Sequence, residues 1–245
     1  MSLPLSDPQF GMEEPVPQYP WRLTDLVVFG VFFLFVVFLL NVVVIRFWGK
    51  DLTAMSQVVL QGVMDGMLVG FIAFLIKVVH GQSFLQTIHW YRNHEFRTGF
   101  LISLGATLAI SVLLVSSFFP AGEPPPIEKL LSSTTAVYVF ALFGIGAAPF
   151  FEELIFRGFL FKVLFDIRGA GPAVSITAIL FALLHVPQLW GSWAGVGLIF
   201  VVGYVLSVVR WRSNSLIPSF IIHTSYNAML FGVFALSTLI QKGVH

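Results

Sequence analysis

The sequence of 245 residues contains no cysteine, and charged residues make up only 10% of it. The absence of cysteine excludes disulfides, thiolate metal sites and a cysteine nucleophile. Soluble domains carry about 25% charged residues, so this scarcity of charge argues against a soluble fold. The net charge of +1 gives no electrostatic basis for binding nucleic acid, and we expect no such partner.

Hydrophobic residues are abundant instead, at 57% of the chain, with 27 phenylalanines and a mean hydropathy of +0.91. Long, continuous apolar runs predict an all-α fold, a polytopic transmembrane helical bundle of seven or eight helices surrounded by membrane lipids. Residues 1–20 are rich in proline, and we expect a disordered N-terminal tail there. Residues 21–245 are then predicted to form a single integral-membrane domain.

Proline divides the second half of the predicted bundle. A span from about Ser132 is predicted to stop at Pro149, because proline cannot continue a helix. A shorter helix from about Phe151 to Phe165 follows it. At this length the second helix is either a half-span or a continuation of the first through a kink at Pro149.

Two adjacent carboxylates, Glu152 and Glu153, lie in this shorter helix, with Arg157 four residues further on. A charge near the bilayer centre costs at least about 2.5–3.5 kcal/mol, so ionisable residues there are candidates for function. Residues four apart share a helix face, so Glu153 is predicted to pair with Arg157. Glu152 points about 100° away and is the candidate general base. The alternative is an acidic helix end at the membrane interface.

Two further helices carry polar groups. His185 follows Phe181 by four residues near the end of an apolar helix, where it could simply bond to a carbonyl. His223 and Asn227 share a face of the last helix, and two donors on one wall suit a developing oxyanion. The same two residues could instead join neighbouring helices by hydrogen bonds.

Together these groups are the parts of a hydrolytic site, since glutamate and histidine can activate water while histidine and asparagine can hold an oxyanion. The sequence contains neither a Gly-x-Ser-x-Gly nucleophile elbow nor a His-Glu-x-x-His zinc motif. Glu152, His185 and His223 would nevertheless make a His2Glu ligand set, so zinc stays open as an alternative cofactor.

The three motifs, Glu152-Glu153-x-x-x-Arg157, Phe181-x-x-x-His185 and His223-x-x-x-Asn227, resemble those of the CAAX prenyl protease and bacteriocin-processing family of intramembrane endopeptidases. The likeness covers about residues 134–235. It implies a metal-independent peptidase in which Glu152 and His185 activate water and His223 with Asn227 forms the oxyanion hole.

By the same resemblance, Glu153, Arg157 and Phe181 have supporting roles. The substrate would be a lipidated or membrane-embedded protein, cut near the C-terminus where it is prenylated. The expected location is a prokaryotic cell membrane. Two other functions stay open, a non-catalytic membrane immunity or scaffold protein and a proton-relaying transporter.

Some polar residues lie outside these motifs. Asp65 lies in a predicted span between Gly62 and Gly66, and it either marks close helix packing or lines the cavity. His80, His89 and His94 fall in a polar segment between spans, and we expect them to be solvated.

Overall fold

The computed structural model describes residues 21–47, 52–92, 96–119 and 134–243, the side chains of 134 and 238–243 excepted. The predicted tail, residues 1–20, lies outside the described residues, so the proposed division of the chain stays a prediction. The described residues form helices and no strands, which confirms the all-α class. The helices are α1 Leu23–Phe47, α2 Ala54–Val79, the short α3 Phe84–Thr87, α4 Thr98–Ser116, α5 Thr135–Arg168, α6 Ala170–His185, α7 Trp193–Ser213 and α8 Leu216–Gly243.

Among the described residues, six of these helices are long and apolar enough to cross a membrane. They are α1, α2, α4, α5, α7 and α8, while α6 is apolar but only 16 residues long. The polytopic bundle is therefore confirmed. With the short α3, the described residues form eight helices, although one pair of predicted helices is a single element.

That element is α5, which runs unbroken through Pro149. The predicted stop at Pro149 is wrong, and the alternative of a continuous helix holds. A π-helical turn, Phe143–Ala147, precedes the proline, and the N–H of Ala148 bonds to the carbonyl of Phe143. In this π-helical pattern each N–H bonds to the carbonyl five residues earlier, so the Gly144 carbonyl would accept from the N–H of residue 149. Proline at that position has no N–H to donate. The Gly144 carbonyl is thereby left free for a partner from another helix.

Close approaches between helices hold the bundle together. In the α4–α8 contact, a Cβ on Gly105 would lie 2.4 Å from the carbonyl oxygen of Ile222. In the α6–α7 contact, a Cβ on Gly203 would lie 3.0 Å from the ring of Phe181. Glycine allows the backbones to meet at these points, so both contacts depend on the missing side chain.

Residues 88–91, which we call the strap, join α3 to the turn between α7 and α8. His89 Nδ1 donates to the carbonyl of Asn214 at 3.1 Å, and the hydroxyl of Tyr91 donates to the same oxygen. The N–H of Leu216 donates to the carbonyl of His89 at 3.0 Å, and the hydroxyl of Ser215 donates to the backbone carbonyl of Tyr91. The strap thus fixes the point where α8 begins.

Two histidines of the polar segment contact groups of the protein rather than only solvent. His89 is only 7% exposed, and burial together with the nearby charge of Arg210 lowers its pKa to about 4. His80 Nε2 lies 2.9 Å from a carboxylate oxygen of Asp25 in α1. The prediction is wrong at both positions because each partner is remote in sequence. His94 lies outside the described residues.

Candidate active site

Glu153 and Arg157 form an ion pair in the interior of the bundle. Arg157 Nη1 donates to Glu153 Oε1 at 3.0 Å, and both side chains are 0% exposed. The pair that the four-residue spacing predicts is therefore formed. Buried charges need partners and hydrogen bonds to offset the loss of hydration, and a lone member of this pair would be strongly destabilising.

The guanidinium of Arg157 also joins α5 to the two helices beside it. Its Nη2 donates to the carbonyl of Gly203 in α7 at 3.0 Å, and the hydroxyl of Ser207 donates to the same oxygen at 2.8 Å. The guanidinium carbon lies 4.4 Å from the ring centre of Phe181 in α6, a cation–π distance. One arginine thus links three helices.

His223 in α8 lies between the two glutamates. Its Nδ1 lies 3.0 Å from Glu153 Oε1, and its Nε2 lies 3.6 Å from Glu152 Oε2. A carboxylate only accepts hydrogen bonds, so Nδ1 carries the hydrogen in the shorter contact. That bond orients the ring and directs Nε2 towards Glu152. The separation of 3.6 Å is too long for a direct hydrogen bond.

Glu152 has a different environment from its neighbour. Its side chain is 22% exposed, against 0% for that of Glu153. Among the contacts of the described residues, the ion pair of Arg157 goes to Glu153 alone. Glu152 is therefore the carboxylate at this site that has both an open approach and a histidine nitrogen facing it.

His185 and Asn227 both bond to backbone carbonyls. His185 Nδ1 donates to the carbonyl of Phe181 at 2.7 Å, which leaves the lone pair on Nε2. Asn227 Nδ2 donates at 2.6 Å to the carbonyl of Gly144, the one left open before Pro149. The same nitrogen carries a second hydrogen.

Direct contacts link four of the seven predicted site residues, and ring contacts bring Phe181 and His185 beside them. Arg157 contacts Glu153, Glu153 contacts His223, and His223 faces Glu152. The ring of Phe181 lies 4.6 Å from that of His185 and 5.8 Å from that of His223, centre to centre. Asn227 joins α8 to α5 one turn further along α8 from His223.

The alternative zinc ligands do not converge. In the described part of the chain, no three His, Asp or Glu side chains are grouped so that they could hold a metal ion. Within the set Glu152, His185 and His223, the Nδ1 atoms of the two histidines bond to protein oxygens. These bonds leave each Nε2 available, but the three side chains are not gathered as a ligand set in the described part of the chain.

Two supporting groups are missed by sequence reasoning. The Gly203 carbonyl accepts from Arg157, but a backbone acceptor leaves no signal in the sequence beyond a glycine in an apolar helix. Arg210, in the last turn of α7, resembles an interfacial charge. It is instead 1% exposed, and its Nε donates to the carbonyl of Arg157 at 3.1 Å.

Comparison with known proteins gives one finding. The family model described as type II CAAX prenyl endopeptidase Rce1-like matches residues 134–229. The matched region includes all three motifs, and it confirms the resemblance that they carry. No curated protein and no solved structure matches the chain.

Proposed function

We propose, from the similarity of residues 134–229 to CAAX prenyl endopeptidases, that this multi-pass membrane protein is an intramembrane endopeptidase. Its substrate would be a lipidated protein in the membrane, cut near a prenylated, CAAX-type C-terminus. The observation that carries the proposal is the unequal environment of the two glutamates. Glu153 is ion-paired with Arg157, whereas the side chain of Glu152 is partly exposed and faces His223.

Glu152 would act as the general base and then as the general acid. It takes a proton from a water molecule, whose oxygen forms a bond to the scissile carbonyl carbon. When the tetrahedral intermediate collapses and the carbon–nitrogen bond breaks, Glu152 returns that proton to the leaving amine. The free lone pair on Nε2 of His185 is suited to accept a hydrogen bond from the attacking water.

His223 and Asn227 would stabilise the oxyanion. With Nδ1 bound to the Glu153 carboxylate, His223 can carry a second proton on Nε2. The second hydrogen of Asn227 Nδ2 supplies another donor. Preorganised donors of this kind are each worth roughly 10²–10³ in rate.

The test is cleavage of a fluorogenic farnesylated CAAX peptide by detergent-purified protein, with and without a strong chelator. We expect wild-type cleavage that resists chelation and is lost in Glu152→Gln. Asp166→Asn, which alters a carboxylate paired with Lys162 away from the site, is the matched control and should retain activity. Loss of wild-type activity with chelator would favour the zinc alternative. No cleavage by wild type would contradict the proposed substrate.

A further inference from the structure

The lysines and arginines are divided unequally between the two ends of the bundle. Which helix termini share an end depends on α5, because a break at Pro149 would reverse the direction of every later helix. The continuous α5 removes that ambiguity, and contacts between helices then assign each terminus to one end. We call the end at which α1 begins, at Leu23, the basic end.

Hydrogen bonds place the end of α2 and the turn between α7 and α8 at the basic end. His80, directly after α2, has its Nε2 atom 2.9 Å from Oδ1 of Asp25 in the first turn of α1. The strap follows α2 by a few residues and bonds to Asn214 and Leu216 in the turn between α7 and α8. The end of α7 and the start of α8 therefore lie beside the start of α1.

A hydrophobic cluster places the end of α5 there as well. Leu26 near the start of α1 and Val208 near the end of α7 both pack on a cluster that includes Phe161 and Leu164 of α5. Only Gly169 separates α5 from α6, so α6 begins at the same end.

The start of α4 also belongs to the basic end. The segment from the end of the strap to Thr98 is too short to cross the bilayer. From residue 92 to residue 98 the chain can span at most about 20 Å, whereas the hydrocarbon core is about 30 Å thick.

Of the 13 lysines and arginines, eight lie at the basic end, four lie at the opposite end, and Arg157 lies in the interior. Among the eight, Arg210 is buried and Lys162 is ion-paired with Asp166, whereas the other six are exposed. These six are Arg22, Lys77, Arg92, Arg97, Arg168 and Arg212, and the sequence assigns Arg46, Lys50, Lys129 and Lys242 to the opposite end.

Exposed tryptophans occur at both ends of the bundle. Trp211 lies beside Arg212 at the basic end, while Trp190 and Trp193 lie at the opposite end, between α6 and α7 and at the start of α7. Tryptophan is enriched at both interfaces of a membrane with water. The two ends therefore share an interfacial character and differ in their positive charge.

We propose that the basic end is the cytoplasmic end of the bundle, where its exposed lysines and arginines contact the anionic phospholipid headgroups of the cytoplasmic leaflet. Cytoplasmic loops and helix ends carry an excess of lysine and arginine, and these cations rather than the net charge set orientation. The cytoplasmic leaflet is negatively charged and attracts them. The start of α1 then faces the cytoplasm, and the end of α8 faces the opposite side. The inference is independent of the proposed function.

The first experiment uses the absence of cysteine, because any cysteine that is introduced is then the only thiol in the chain. Ser83→Cys places a thiol at the basic end, and Ser117→Cys and Gln188→Cys place one at the opposite end, all at exposed positions. Intact bacterial cells that express each variant are treated with a membrane-impermeant maleimide, before and after permeabilisation.

In intact cells we expect the two opposite-end thiols to be labelled at least about tenfold more than Ser83→Cys, and all three to be labelled after permeabilisation. Stronger labelling of Ser83→Cys than of the other two in intact cells would overturn the proposed orientation. Equal labelling at the two ends before permeabilisation would overturn it as well.

The second experiment tests whether the exposed cations set the orientation. A variant that combines Arg92→Gln, Arg97→Gln, Arg168→Gln and Arg212→Gln has equal numbers of lysines and arginines at the two ends. In this background, labelling of Ser83→Cys in intact cells should rise at least about tenfold. The matched control combines Arg46→Gln with Lys50→Gln and should leave Ser83→Cys protected. Unchanged protection in the fourfold variant would contradict a role for these cations.

Contact with headgroups is tested in nanodiscs of phosphatidylcholine, with and without phosphatidylglycerol. We expect the anionic lipid to raise the temperature of the thermal transition of the wild type, and to raise it less in the fourfold variant. The same transition of the wild type in both lipids would overturn the proposed contact, as would an equal rise in the two proteins.

Discussion

The two sides of α5 at the site differ although the residues that define them are adjacent. The Glu153 side consists of Glu153, Arg157, the Gly203 carbonyl and Nδ1 of His223, all joined by bonds of 3.0 Å. The Glu152 side consists of Glu152 and Nε2 of His223, with a gap of 3.6 Å between the glutamate and the histidine. One side is closed and its charges are compensated, whereas the other is open and uses weaker contacts.

This difference shows how adjacent residues of the same type on one helix can have different environments and different roles. Neighbouring side chains point about 100° apart, so one glutamate faces the bundle interior while the next faces a partly open approach. A carboxylate held by an arginine and a histidine is a poor proton acceptor. The Glu153 side therefore supplies rigidity and orients His223, and the Glu152 side is left to do the chemistry.

The largest effect on stability should come from Glu153→Gln. This change leaves the buried Arg157 without its counter-charge, and breaking such a pair costs about 3–5 kcal/mol. We expect a marked fall in the thermal transition of detergent-purified protein, followed by tryptophan fluorescence. A transition equal to that of wild type would mean that the Glu153 side does not hold the helices together.

The next effect should come from Gly203→Ala. The new Cβ would lie 3.0 Å from the Phe181 ring and 3.4 Å from Ala178 Cα, and such overpacking costs about 1–3 kcal/mol. Gly197→Ala, in the same helix, meets nothing within 4 Å and is the matched control. Equal thermal transitions for the two variants would contradict close packing on the Glu153 side.

A smaller effect on stability should come from Asn227→Ala, and its size should depend on Pro149. Asn227→Ala removes the donor to the Gly144 carbonyl and should cost about 1 kcal/mol. Pro149→Ala returns a backbone N–H in the register of that carbonyl, so the cost of Asn227→Ala should shrink in this background. Additive changes in a double-mutant cycle would show that proline and asparagine are not coupled.

A further effect, which appears only on acidification, concerns the strap that supports the start of α8. His89 has a pKa near 4 in the folded protein, against 6.5 ordinarily, so the unfolded chain binds its proton first. Stability from this residue is complete above pH 6.5 and is lost as the pH falls towards 4. In the His89→Asn variant, asparagine tolerates the positive φ of 58° at this position. The temperature of the thermal transition should then depend less on pH than it does in the wild type. If the slope of the transition temperature against pH were the same as in wild type, His89 would be excluded as the source of the pH dependence.

Much of the fold follows from local patterns in the sequence. Long apolar runs predict the membrane helices, and the spacing of Glu153 and Arg157 predicts their pairing. Both rest on contacts within a single helix. The site motifs are also recognisable in the sequence, although the catalytic roles assigned to them stay predictions.

The features that sequence misses depend on contacts between helices. Pro149 does not end α5, because a π-helical turn and a side chain from α8 accommodate it. The partners of His89 and Arg210 are backbone carbonyls 125 and 53 residues away. Such partners leave no local pattern.

The most direct test of the account compares Glu152→Gln with Glu153→Gln in both cleavage rate and thermal transition. For Glu152→Gln we predict a rate about 10²–10⁴ lower with a transition close to that of wild type, because only a proton acceptor is lost. For Glu153→Gln we predict that the main effect is a lower temperature of the thermal transition, that is, a loss of stability. If Glu152→Gln retained the wild-type rate, or if the two variants lost stability equally, the division of roles between the two glutamates would be contradicted.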